Sequence, residues 1–196
     1  MHNTHAQADA IVVVSGLPRS GTSLMMAMLA AGGIPPLTDG QRRADVSNPK
    51  GYYEYERVKK LPAGDADWLA EARNRAVKVI SALLQHLPAQ YTYRVLFMQR
   101  RMQEVLASQR RMLLDQGQPV DDADDAELAL AFERHLARVQ AWLAQQPNMQ
   151  VLYVNYNALI ADPAPHVAAV NRFLGGGLDE AAMIQAIDPS LYRQRA

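Results

Sequence analysis

The chain has no cysteine among its 196 residues. Disulfides, thiolate metal sites and a cysteine nucleophile are thereby excluded, and a reducing compartment suits the protein without being required. Charge of one sign is also missing: 20 Lys and Arg balance 20 Asp and Glu, so nothing global marks a nucleic-acid or membrane-surface protein. Apolar runs long enough to span a bilayer are absent. The opening MHNTHAQADA lacks the basic segment and apolar core of a secretory signal. The expectation is a soluble, cytoplasmic protein with no nucleic acid and no membrane among its partners. What is present is ordinary for a globular domain, 49% hydrophobic and 20% charged residues. The length suits one domain over 1–196 with its own core.

Ile11-Val12-Val13-Val14 is a short β-branched run that stops at Ser15-Gly16, which predicts a buried parallel strand. SLMMAMLAAGG follows a glycine-containing loop and predicts a helix closed by Gly32-Gly33. Residues 34–56 hold three prolines and two glycines among polar side chains. They read as a long lid or acceptor loop with a turn at Asn48-Pro49-Lys50-Gly51. A helical stretch is expected over 56–73, with Pro62 near its start or interrupting it. Further strands are predicted at 77–80, 94–98 and 150–154, and helices at 102–116, 124–146 and 163–174, the last ending at Gly175-Gly176-Gly177. Strands alternating with helices imply a parallel sheet covered on both faces. The acidic stretch 121–125 reads as a solvated loop and helix start.

The loop Gly16 to Ser23, GLPRSGTS, has the glycine and serine spacing of the Walker phosphate loop, but Thr22 replaces its lysine. No aspartate stands at the tips of the later strands, where Met98-Gln99 and Val154-Asn155 are found. The anion-cradling geometry is therefore expected without the triphosphate and Mg²⁺ machinery. Backbone N–H groups at a helix N-terminus suffice to bind a phosphate. Arg19, Ser20, Gly21, Thr22 and Ser23 are the expected binding residues of the loop: Gly21 permits close approach, Thr22 and Ser23 add hydroxyls, and Arg19 adds a cation.

PRSGTS (Pro18 to Ser23) resembles the 5′-phosphosulfate loop of the sulfotransferase superfamily, whose donor is 3′-phosphoadenosine 5′-phosphosulfate. The resemblance implies a three-layer α/β/α domain with a central parallel sheet, like the P-loop nucleotide kinases. It also implies transfer of a sulfuryl group to a hydroxyl or amine of a small-molecule or carbohydrate acceptor, with adenosine 3′,5′-bisphosphate as product. Arg19 stands where the family's loop carries lysine, keeping the charge in a planar fork. Leu24 departs from the tryptophan of animal cytosolic members. The family's second signature, an arginine at a strand end and a serine eight residues on, both on the 3′-phosphate, matches Arg100 and Ser108 in VLFMQRRMQEVLASQRRML. Arg101 is a spare candidate. A cation at a strand tip and a hydroxyl about two helical turns later can converge on one dianion. VLYVNYNALIADPAPHVAAVNRFLG (Val151 to Gly175) is similar to a further strand, turn and helix of the family, with Asn157 and Ala158 replacing its acidic pair. The carboxy-terminal Arg-Lys-Gly loop is absent, leaving Arg193 and Arg195 as substitutes.

Sulfuryl transfer needs charge stabilisation and a base for the acceptor. Lys78 falls on the strand where cytosolic members carry Lys-Thr-His, but Ile80 replaces the histidine, and His86 is displaced from that place. Other branches use an early glutamate, which makes Glu54 in NPKGYYEYE the favoured base. An extended course there sets Glu54 and Glu56 on one face and Tyr53 and Tyr55 on the other. A carboxylate at a helix start also serves the dipole alone. Lys78 is expected to stabilise the transferring group, and Tyr52, Tyr53 and Tyr55 to wall the acceptor. The five histidines show no metal-ligand spacing, and His135 and His166 read as structural. Two alternatives remain, an ATP- and Mg²⁺-dependent P-loop kinase and a non-catalytic nucleotide-binding relative.

Overall fold

A computed structural model describes residues 10–41, 51–118, 125–188 and 190. The first strand, β1 (Ile11–Gly16), is buried throughout, as its β-branched run requires. Around it lie β2 (Ala76–Lys78), β3 (Tyr93–Gln99) and β4 (Met149–Asn155). All pairings are parallel, in the order β2-β1-β3-β4, with Val13 opposite both Val77 and Val95. The expected α/β architecture is thus the observed one.

Side-chain alternation along β1 splits the core in two. Ile11 and Val13 join Val77, Val95 and Phe97 on one face, covered by Trp68, Leu69, Leu84 and Leu143. Val12 and Val14 join Leu96, Met98 and Val154 on the other, covered by Met25, Met26, Met28 and Leu29 of α1 (Thr22–Ala31). The glycine stop of α1 works as predicted: Gly33 has φ 106°, and a Cβ on Gly32 stands 2.7 Å from Met183 Cγ. After α1, Leu37 donates to the Ala76 carbonyl at 2.8 Å, so this segment covers part of the β2 edge.

Helices α2 (Met102–Asp115) and α3 (Asp125–Leu143) agree with the sequence expectation, as does α5 (Pro163–Leu174), which ends at Gly175 with φ 104°. Two short helices escaped it. α4 (Tyr156–Ala161) is capped by Asn155, whose side chain accepts from Ala158 N, and α6 (Glu180–Gln185) by Asp179 accepting from Ala182 N. Six residues are too few to show a helical period.

Residues 56–73 are corrected. They form two 3₁₀ helices, Glu56–Ala63 and Asp67–Ala72, rather than one α-helix. Pro62 supplies no N–H, and Gly64 at φ 85° turns the chain out of the helical region. The strand expected at 77–80 ends at Lys78, and a third 3₁₀ helix spans Ser81–His86. The turn at 48–51, most of the acidic stretch, Arg193 and Arg195 fall outside the described residues except for Gly51 and Asp125.

Candidate functional site

The loop between β1 and α1 is folded by positive φ angles at Gly16 (143°), Arg19 (69°) and Gly21 (100°). Two of the three have to be glycine. A Cβ at Gly16 meets Ser20 Oγ at 2.5 Å and the Met98 carbonyl at 2.7 Å, and one at Gly21 meets the Tyr156 ring at 2.4 Å. Arg19 holds a left-handed conformation at some cost to itself. Ser20 is buried and its hydroxyl donates to the Leu17 carbonyl at 2.7 Å. Its hydrogen braces the turn from within the loop. Thr22 is buried at the first position of α1, and no side chain caps that helix. Its first-turn N–H groups belong to the loop.

The two sequence signatures meet. Arg19 Nε donates to Ser108 Oγ at 2.9 Å across 89 residues. Arg100 donates through NH1 to the Arg19 carbonyl at 3.1 Å and through Nε to Glu104 Oε2 at 2.9 Å. Its guanidinium lies 4.6 Å from the centroid of Tyr156, the same ring that Gly21 abuts. Glu104, with no exposed side-chain surface, also accepts from Asn157 Nδ2 at 2.8 Å and lies 3.7 Å from Arg101. Arg101 N in turn donates to Asn157 Oδ1 at 3.2 Å. Glu104, Tyr156 and Asn157 were missed from the sequence. Arg100 precedes α2, so the helical pairing rule gave no signal for Glu104.

On the opposite flank, Lys78 Nζ donates to the Tyr52 carbonyl at 3.0 Å and stands 3.4 Å from Ser23 Oγ, which also reaches that carbonyl at 3.5 Å. The Tyr52 ring is buried, with the Lys78 ammonium 5.9 Å from its centroid. Glu54, two residues on, has its Cα within about 7 Å of that of Tyr52. Its carbonyl accepts from Thr38 Oγ1 at 2.8 Å and Asp39 N at 3.4 Å, while Asp39 Oδ2 accepts from Glu56 N at 2.7 Å. Glu54 and Glu56 share Lys59, at 3.6 and 2.6 Å. The bond to Glu56 and the charge of both carboxylates raise the Lys59 pKa.

The uniform extended course expected here is broken at Tyr53, whose φ is 52°. The carboxylates still face one cation, but the tyrosines form no common wall. Tyr53 packs toward the α1 face and Tyr55 against Trp68 on the other. The histidines expected to be structural include His135, which pairs with the buried Ser81 Oγ at 2.9 Å. Burial, then the Arg138 charge, lowers its pKa. His86 stands at 3.4 Å from Gln85. Among the described residues no helix is long and apolar enough to cross a membrane, and no three His, Asp or Glu gather as a metal site would require.

Residues 9–193 match the sequence profile of the Sulfotransferase domain family, and the chain belongs to that family. Its fold is that of solved sulfotransferases. The sulfotransferase domain from the Synechococcus PCC 7002 olefin synthase superposes with TM-score 0.59 at 19% identity, covering 100% of this chain and 91% of that one. Sulfotransferase STF1 from Mycobacterium tuberculosis H37Rv gives 0.62 at 24% identity over 94% and 73%. The sulfotransferase domain from the curacin biosynthetic pathway gives 0.53 at 16% over 92% and 78%. No curated protein matches the chain.

Proposed function

We propose that the chain transfers a sulfuryl group from 3′-phosphoadenosine 5′-phosphosulfate to a hydroxyl or amine of a small-molecule or carbohydrate acceptor, releasing adenosine 3′,5′-bisphosphate. The observation that carries this reading is the bond from Arg19 to Ser108. It joins the loop suited to the 5′ end of the donor with the helix suited to its 3′-phosphate, so that one bisphosphate nucleotide spans both. The first-turn N–H groups of α1, Thr22 and Ser23 bind the phosphosulfate, helped by the positive end of the helix dipole. Gly21 admits it and Ser20 keeps the turn in shape.

Arg19 lies between the two phosphate positions as a fixed cation, suited to the charge that grows on the departing phosphate oxygen. Ser108 supplies a hydroxyl to the 3′-phosphate. Arg100, held by Glu104 and Tyr156, brings its positive charge to the same dianion. Lys78 stabilises the sulfuryl oxygens as the S–O bond to the acceptor forms and the S–O bond to the nucleotide breaks. Glu54 takes the acceptor's proton; before it does so its carboxylate lies 3.6 Å from the Lys59 ammonium. The single domain over 1–196 keeps 34–56 as the segment that meets the acceptor.

The test is calorimetric titration with adenosine 3′,5′-bisphosphate in the presence of a chelator, beside ATP with Mg²⁺, followed by donor turnover over a panel of hydroxyl and amine acceptors. Metal-independent bisphosphate binding with nucleotide release supports the reading. Preference for ATP with Mg²⁺ turns it toward a kinase, and binding without turnover toward a non-catalytic relative.

A further inference from the structure

Lys78 Nζ and Ser23 Oγ converge on one oxygen, and that oxygen is the backbone carbonyl of Tyr52. In the donor reading both groups serve the sulfuryl end of the nucleotide. A carbonyl oxygen carries partial negative charge, so it competes with an anionic sulfonate for the same donors and repels it. Tyr53, the next residue, has φ 52°, a region that non-glycine residues enter at a cost. The carbonyl is therefore aimed at Lys78 by a peptide plane that the backbone alone disfavours.

We propose that the Tyr52–Tyr53 peptide is a two-position gate on the sulfuryl end of the donor site, carbonyl-inward at rest and amide-inward with donor bound. The proposal rests on the donor reading above. A half-turn of this peptide plane carries the Tyr53 φ out of the left-handed range into the negative range that non-glycine residues prefer. It also replaces the carbonyl by the Tyr53 N–H in the same direction. Lys78 and Ser23 are then released from the carbonyl toward the ligand, and a third donor joins them. Both sides of the hinge favour a flip over displacement of the whole loop. The Tyr52 ring is buried beside Lys78, and the Glu54 carbonyl is held by Thr38 and Asp39. Gly51, at φ 87°, is a glycine and accepts a wider range of torsion than its neighbours.

The test compares Tyr53→Gly, Tyr53→Ala and Tyr53→Val in the full chain, so that loss of the ring is common to all three. Glycine accepts the left-handed conformation freely, alanine at a cost and the β-branched valine at a greater one. With 3′-phosphoadenosine 5′-phosphosulfate as probe and no acceptor present, the glycine variant is expected to bind about five-fold more weakly than the alanine variant. The valine variant is expected to bind more tightly than the alanine variant. Affinity compares two folded states, so the entropy of the unfolded chain does not enter, and a cooperative melt for each variant verifies folding. Equal affinities, or tightest binding by the glycine variant, overturn the gate while leaving the donor reading intact. No binding of the probe to the wild-type chain overturns the donor reading and the gate with it.

Discussion

The two flanks of the phosphate loop are built in different ways. Toward α2 and α4 the loop rests on side chains that satisfy one another: Arg19 on Ser108, Arg100 on Glu104, Glu104 on Asn157, with Tyr156 beneath Arg100 and Gly21. Toward the strap that carries Glu54, contacts run through backbone carbonyls. A buried, interlocked set of charges has one good arrangement and resists change, because breaking any pair strands a charge away from water. A strap held at backbone atoms can turn a peptide while its side chains stay where they are. Under the proposed function, the first flank serves a nucleotide that is always the same, the second a group that must arrive, react and leave.

The contrast breaks most severely at Glu104. Glu104→Ala leaves Arg100 buried without its carboxylate and is expected to lower unfolding stability by about 3–5 kcal/mol in urea titrations. A loss under 1 kcal/mol would mean that the interlock contributes little. Next in size is Glu54→Gln, on the strap. It should reduce kcat about a hundredfold while leaving donor affinity and melting temperature near wild type. Equal kcat in the two proteins removes Glu54 as base.

Gly21→Ala tests the tightness of the nucleotide flank. Its Cβ must be placed 2.4 Å from the Tyr156 ring at φ 100°, which costs at least about 1–2 kcal/mol. Bisphosphate affinity should fall about tenfold by calorimetry. The smallest effect concerns His135. Burial, and then Arg138, lower its pKa, so the folded state disfavours the proton that the unfolded chain accepts. Its contribution to stability is complete above the ordinary histidine value of about 6.5. That contribution fades as pH falls through the lower folded value. The urea midpoint should therefore drop between pH 7.5 and 5.5 in wild type, and less in His135→Gln.

Much of this was legible in residue order. The β-branched run, the glycine spacing of the loop, the α1 stop and the triple-glycine end of α5 are local signals, and each element stands where its signal lies. The short capped helices α4 and α6 were not legible, for six residues show no period. Nor was the division of 56–73 into two 3₁₀ helices, although Pro62 and Gly64 marked the places where it occurs. In the candidate site, spacing and resemblance drew attention to Arg19, Ser20, Ser108, Arg100 and Lys78, but not to the bond that the Ser20 hydroxyl makes to Leu17.

By itself the sequence determined which cationic and hydroxyl-bearing groups this protein has beside its glycine loop, and in what order the strands and helices deliver them. Those are consequences of torsional preference and periodicity, which act within a few residues. Tertiary structure alone decided that Arg19 finds Ser108, that Glu104 is the residue behind Arg100, and that the Tyr52 carbonyl faces Lys78. Those contacts join residues far apart in the chain. Their geometry comes from closing the sheet and packing both of its faces, a condition that no local pattern encodes.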